Sequence, residues 1–156
     1  MNGIECAGPG KRYRRSWALR DCTLEIPAGY VVAMVGPNGA GKTTLLNLAV
    51  GLATPTTGAV TVLGGTAAGS PDALDRIAFV AQDAPLYANL PVADMVHVAR
   101  NLNHRWDQPR AEQRLADLGI PAKKKVGQLS GGQKAQLALT IALARRPDLL
   151  ILDEPL

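Results

Sequence analysis

Lys42 closes the run Gly36-Pro37-Asn38-Gly39-Ala40-Gly41-Lys42-Thr43, which fits the phosphate-binding loop pattern G-x-x-x-x-G-K-[ST]. Average residue usage produces that pattern by chance at roughly one start position in thirty thousand. Polyphosphate is crowded negative charge, so its donors must come close. Glycines at 36, 39 and 41 let a loop turn its N–H groups inward, and a helix beginning near Lys42 adds the positive end of its dipole. Lys42 would reach the β- and γ-phosphates as a point charge, and the Thr43 hydroxyl, followed by Thr44, suits Mg²⁺, which prefers hard oxygen ligands. A second acidic element follows much later. Leu149-Leu150-Ile151-Leu152-Asp153-Glu154 is an apolar strand that delivers two carboxylates at its end, where open α/β sheets bind ligands. Asp153 would hold Mg²⁺ through water, and Glu154 is placed to act as general base or as positioner of an attacking water.

Between these two elements lies Leu129-Ser130-Gly131-Gly132-Gln133. Ser130 is a helix N-cap by type, but a cap alone does not explain two glycines and a glutamine after it. A phosphate-binding loop, this LSGGQ segment and a Walker B strand, in that order, resemble the nucleotide-binding domain of ABC transporters. The resemblance covers essentially the whole chain. It implies ATP and Mg²⁺ as cofactors, with residues 36–44 holding the phosphates. It implies that Ser130, Gly131, Gly132 and Gln133 grip the γ-phosphate of ATP held by a second nucleotide-binding domain, so that two half-sites enclose two nucleotides. Gln82, after the apolar run 77–81, corresponds to the Q-loop glutamine that contacts Mg²⁺ and the attacking water. Tyr13 stands twenty-three positions before Gly36, where the family places an aromatic that stacks on adenine, and Trp17 is its rival. The partners implied are separate membrane-spanning permease subunits, with the protein peripheral on the cytoplasmic face of the membrane and no nucleic acid bound. Asn38-Gly39-Ala40 and the stretch from Asp83 to Tyr87 look like exporter-type or multidrug-type cassettes.

These residues need an α/β scaffold. Ala18 to Ile26 partly alternates, Pro27-Ala28-Gly29 turns, and the apolar run 30–35 reads as a buried strand feeding the phosphate loop. A helix over 43–50 stops at Gly51. A turn at 54–58, a strand over 59–63, a short helix from Ser70-Pro71-Asp72 and a buried strand over 77–81 follow. Helix signals then cover 91–101 and 109–118, and Ser130 caps a long Ala/Leu helix to about Arg145. The fold class expected is a P-loop NTPase core with N-terminal antiparallel β pieces and a helical subdomain. Within one domain, residues 1–85 form the core and β part, 86–146 the helical part with the signature helix, and 147–156 the Walker B strand.

Composition agrees with a globular domain. Of 156 residues 47% are apolar and only six are aromatic, so the core is aliphatic. The 17 basic and 13 acidic residues leave +4, a mild balance in which the clusters at 11–15 and at Lys123-Lys124-Lys125 read as solvated surface. Cys6 and Cys22 lack metal spacing and read as free thiols, buried or half-buried. His97 and His104 are seven apart without a carboxylate or cysteine set beside them in sequence. Tyr87 and Met95 read as packing or partner contacts. No apolar stretch is long enough to span a bilayer, and no signal peptide is evident.

The sequence stops two residues after Glu154. The family's D-loop, switch histidine and closing core strands are therefore not present, which reads as an N-terminal fragment or a truncated product with an uncovered last strand. Two other outcomes follow from the same motifs. One is a soluble ABC-type ATPase acting on ribosomes or DNA, although no sustained heptads separate Lys42 from Ser130. The other is an ATP-binding remnant without turnover.

Overall fold

The computed structural model describes residues 1–37, 39–81, 83 and 85–153. Its chain divides into two compact units, Met1–Leu74 and Asp75–Leu156.

The first unit is organised by one long strand, β1 (Asn2–Tyr13). Its sequence hides it, because Gly8, Pro9 and Gly10 interrupt the pattern. The structure accommodates them at an irregularity in the β1–β4 register between Ala7 and Gly10, the kind of place where a strand tolerates proline. Along one edge β1 pairs with β4 (Thr57–Val62), and it also pairs with β2 (Ser16–Leu19) and β3 (Leu24–Pro27), all antiparallel. The short β5 (Thr66–Ala67) extends the sheet beyond β4. Helix α1 (Lys42–Val50) packs on β4 and β2 and buries Leu45, Leu48 and Ala49, while Ile4, Cys6 and Val62 of the sheet are buried as well. Gly51 ends α1 in the left-handed region, φ 81°, the stop its sequence signals. Both cysteines are free, Cys6 buried and Cys22 half-buried. Burial, with a smaller contribution from Cys22, pushes the Cys6 thiol up to about 11.

The apolar run 30–35 is not the buried strand its composition suggests. It has no ladder partner among the described residues, and Tyr30, Val31 and Val35 are 75%, 104% and 88% exposed. The reason is in the pairing. A strand exists only through hydrogen bonds to a neighbour, and none of the paired strands among the described residues takes 30–35 as one. Apolar composition alone cannot supply that neighbour.

Helix α2 (Pro71–Arg76) crosses from the first unit into the second and runs into β6 (Ile77–Val80), which pairs in parallel with β7 (Leu149–Leu152). Three helices follow β6: α3 (Val92–Asn101), α4 (Gln108–Asp117) and α5 (Gly131–Ala144). They close on a shared aliphatic core that includes Val92, Val96, Leu115, Val126 and Leu137. Asp107 caps α4 by accepting from the Arg110 N–H, with Pro109 in the first turn. The segment 122–127 is laced to 88–93 by backbone hydrogen bonds, such as Val92 N–H to Lys124 C=O at 2.9 Å. Lys123 and Lys125 remain exposed. Where β7 begins, Asp148 accepts from Arg76 (2.8 Å) and Arg105 (3.5 Å), which tie the start of β7 to the end of α2 and to the α3–α4 connection. The Arg76 hydrogen bond, more than the Arg105 one, holds the Asp148 carboxyl below the usual carboxylate range. Among the described residues no helix is long and apolar enough to cross a membrane.

Candidate functional site

The phosphate loop leads directly into α1. Gly41 is the N-cap residue at φ 94°, and Gly39 has φ 83°, both in the region that L side chains avoid. A Cβ on Gly41 would also lie 2.8 Å from the Ala18 carbonyl oxygen, so backbone shape and space both require glycine there. Gly41 has no side chain with which to cap α1. The Lys42 ammonium donates to the Gly36 carbonyl, folding the lysine back across the mouth of its own loop. Gly36, Pro37, Gly39 and Ala40 are exposed, and Thr43 and Thr44 occupy the first turn of α1. Asn38 lies outside the described residues.

Tyr13 and Trp17 sit on the β1–β2 hairpin and differ in what surrounds them. Tyr13 is 52% exposed with the Lys11 ammonium 5.3 Å from its ring centre. Trp17 is half-buried, with Arg20 at 5.3 Å and Arg12 at 6.0 Å from its ring centre, and its Cζ3 fills the space a Cβ on Gly10 would need. Two guanidiniums already engage the indole, whereas the phenol ring retains more open surface.

In the second unit, Asp153 follows β7 directly. It is buried, and its N–H continues the parallel ladder to the Val80 carbonyl at 3.0 Å. Because Val80 and Leu152 are register partners, Ala81 and Asp153 leave the same, carboxyl end of the β6–β7 pair. Gln82 and Glu154, the next residue after each, lie outside the described residues.

The signature segment begins α5 with a reciprocal cap. The Ser130 hydroxyl accepts from the Gln133 N–H at 3.1 Å, and the Gln133 side-chain oxygen accepts from the Ser130 N–H at 3.0 Å. This explains Ser130 and Gln133 completely in local terms. It leaves Gly131 and Gly132, whose N–H groups have no partner among the described residues. A Cβ built on either glycine meets nothing within 4 Å, and neither has a positive φ. Nothing inside the chain asks for glycine here, yet each glycine weakens a helix by about 1 kcal/mol relative to alanine.

The remaining candidates separate. His97 lies on α3 against the Asn101 amide (3.2 Å), while His104 lies beyond the end of α3 against Asp75 (3.2 Å), so their spacing of seven is not a shared helical face. Among the described residues no group of three or more metal-ligating side chains comes together. Met95 is buried in the helical core and Tyr87 is 61% exposed. The residue that motif reading passed over is Arg114 of α4, whose guanidinium donates to Thr140 and Gln136 of α5. Only the facing of two helices could have revealed it.

Comparison with known proteins bears on this arrangement. The family model described as ABC transporter matches residues 19–156. The chain is 39% identical to the aliphatic sulfonates import ATP-binding protein SsuB 1 of Rhodococcus jostii (strain RHA1), over 98% of this chain and 60% of that protein. It is 37% identical to the sulfate/thiosulfate import ATP-binding protein CysA of Escherichia coli (strain K12), over 97% of this chain and 44% of that one. The chain thus spans about half the length of these curated relatives. Among solved structures, an ATP binding subunit of an ABC transporter superposes with a TM-score of 0.83 at 26% identity, over 97% of this chain and 66% of that one. The dimeric ATP-binding cassette MJ0796, in a post-hydrolysis state with ADP and Pi, gives 0.83 at 29% identity, over 97% and 74%.

Proposed function

This chain belongs to the ABC transporter family, and from that membership we propose that it is the ATP-binding, ATP-hydrolysing subunit of a transporter, driving transport through separate membrane-spanning subunits from the cytoplasmic face of the membrane. One observation carries the reading. Gly131 and Gly132 open a helix with bare N–H groups and no Cβ, at a place where the chain itself needs neither. The advantage of glycine there must come from something outside the chain that approaches closely and is negatively charged.

The residues fit that task. Lys42 exchanges the Gly36 carbonyl for β- and γ-phosphate oxygens, and the backbone of 36–43 surrounds them. Tyr13 stacks on adenine, a role its open ring surface favours over Trp17. Thr43, Gln82 and Asp153 would each offer oxygen to Mg²⁺, which when bound would neutralise charge on the phosphate oxygens. Glu154 activates or orients the attacking water. Ser130, Gly131, Gly132 and Gln133 close on the γ-phosphate held by a second nucleotide-binding domain, so the active unit is a dimer.

The test pairs nucleotide binding with phosphate release. Glu154→Gln is expected to abolish turnover, keep ATP binding and trap an ATP-bound dimer. Turnover that survives this change removes Glu154 from the water step. Failure of ATP to bind or to promote association in the unaltered chain defeats the reading as a whole.

A further inference from the structure

We propose that Arg114 is a positioning residue: it clamps the signature helix α5 at a fixed rotation, so that Gly131 and Gly132 point their N–H groups at the nucleotide of the partner. The purpose assigned to the clamp rests on the reading of the signature given above; the clamp itself rests on geometry.

Arg114 is half-buried on α4 and reaches across to α5. Its Nε donates to the Thr140 hydroxyl at 3.2 Å and its Nη2 to the Gln136 side-chain oxygen at 3.1 Å. Thr140 is 0% exposed, and its hydroxyl donates in turn to the Gln136 carbonyl at 2.8 Å. Gln136 and Thr140 are four apart, one above the other on a single face of α5, so a two-pronged guanidinium spans a full turn. Among the described residues no carboxylate lies within ion-pair distance of Arg114. Its partners are neutral, so direction rather than opposite charge defines the contact.

Apart from Arg114, a directional tie, the Asp107 N–H to the Ala144 carbonyl at 2.7 Å, joins the α4 cap to the end of α5 far from the glycines. Ala111, Leu115 and Leu137 contribute smooth aliphatic surface, which resists separation of the helices but does little to oppose rolling. A roll of about 25° on a backbone radius of about 2.3 Å carries an amide about 1 Å. Misplacement by 1 Å is enough to lose roughly a hundredfold in a catalytic geometry. Gln136 lies only about 7.5 Å along the axis from Gly131, at about 1.5 Å per residue. The fork therefore acts close to the amides it would orient.

The test begins without nucleotide, by amide hydrogen exchange on the full chain. The reporters are the Gln133 and Lys134 N–H groups, bonded to the Ser130 Oγ and to the Ser130 carbonyl, with Val80 and Ile151 in β6–β7 as references. Arg114→Met is expected to speed exchange at the reporters about tenfold and leave the references unchanged. Arg114→Lys, with one compact charge in place of a fork, should recover part of the protection. If Arg114→Met also loses protection in β6–β7, Thr140→Val and Gln136→Met, which remove one acceptor each, take its place with a severalfold increase expected from each. Unchanged exchange at the reporters in folded variants overturns the clamp.

A second arm follows ATP-dependent self-association by sedimentation. Arg114→Met should leave ATP affinity of the monomer as it was and weaken association tenfold or more. Equal loss of both, or of neither, overturns the positioning role. If the unaltered chain does not associate with ATP, the signature reading fails, and the exchange arm still decides whether the clamp exists.

Discussion

Two helices in this protein begin at sequences suited to anions, and they begin in opposite ways. Helix α1 starts at Gly41, a left-handed glycine wedged against the Ala18 carbonyl, with no side chain of its own to cap the helix and with Lys42 turned back on its own loop. Helix α5 starts at Ser130 with a complete reciprocal cap, followed by two glycines that touch nothing. At α1 glycine is an internal requirement, and the loop is shaped in advance to surround a ligand. At α5 glycine is an internal weakness, and the cap stabilises an end that is left open. On the proposed reading, a site enclosed by its own chain shows its logic in the fold, whereas half of a shared site shows it as an unexplained local cost.

The largest effect that would sharpen this contrast concerns the first helix. Lys42→Ala removes the only long-reaching cation of the loop and should weaken ATP binding by roughly 10–100-fold, the range expected for a charge-assisted hydrogen bond. Titration with a fluorescent nucleotide reads it, and affinity within a factor of two of the original would break the assignment.

Alanine at the two sets of glycines should move stability in opposite directions. Gly41→Ala forces a Cβ into the left-handed region and against a carbonyl, and is expected to destabilise by about 1–2 kcal/mol or more. Gly132→Ala should instead stabilise the chain by up to about 1 kcal/mol while reducing ATP-driven association. Urea unfolding of both variants, beside sedimentation with ATP, measures the pair. A destabilised Gly132→Ala would mean that its glycine serves the fold after all.

Ser130→Ala loses one half of the cap and should cost about 1 kcal/mol in urea, with nucleotide affinity of the monomer unchanged. A loss of affinity as large as that of Lys42→Ala would erase the distinction between the two helix starts.

The smallest effect lies away from both. Arg76, and then Arg105, hold Asp148 below the usual carboxylate range, so its ion pairs stabilise the fold above that range. This contribution disappears as pH falls through the depressed folded value. Asp148→Asn should therefore flatten the acid limb of stability below about pH 4, slightly, because the side chain is largely solvated. An unchanged acid limb would remove Asp148 from the account.

Legibility in the sequence follows the same division. The helix start at Ser130 and the helix stop at Gly51 depend on a few neighbouring residues, and the motifs name their chemistry without any fold. The long β1 escaped because Gly8-Pro9-Gly10 breaks every local strand pattern, yet a shift in its register against β4 absorbs it. Residues 30–35 misled in the reverse sense, offering a strand composition for which the sheet holds no partner.

What the sequence determined by itself is therefore the kind of chemistry: a phosphate loop, a capped signature and a carboxylate strand, each encoded within about ten residues by backbone freedom, caps and charge. Tertiary structure alone decided which ring of the hairpin stays open, that β6 and β7 lie side by side and send Ala81 and Asp153 out of one end, and that Arg114 grips α5. These depend on residues far apart in the chain meeting at hydrogen-bond distance. No local pattern carries that information, because the partner of each group is chosen by packing.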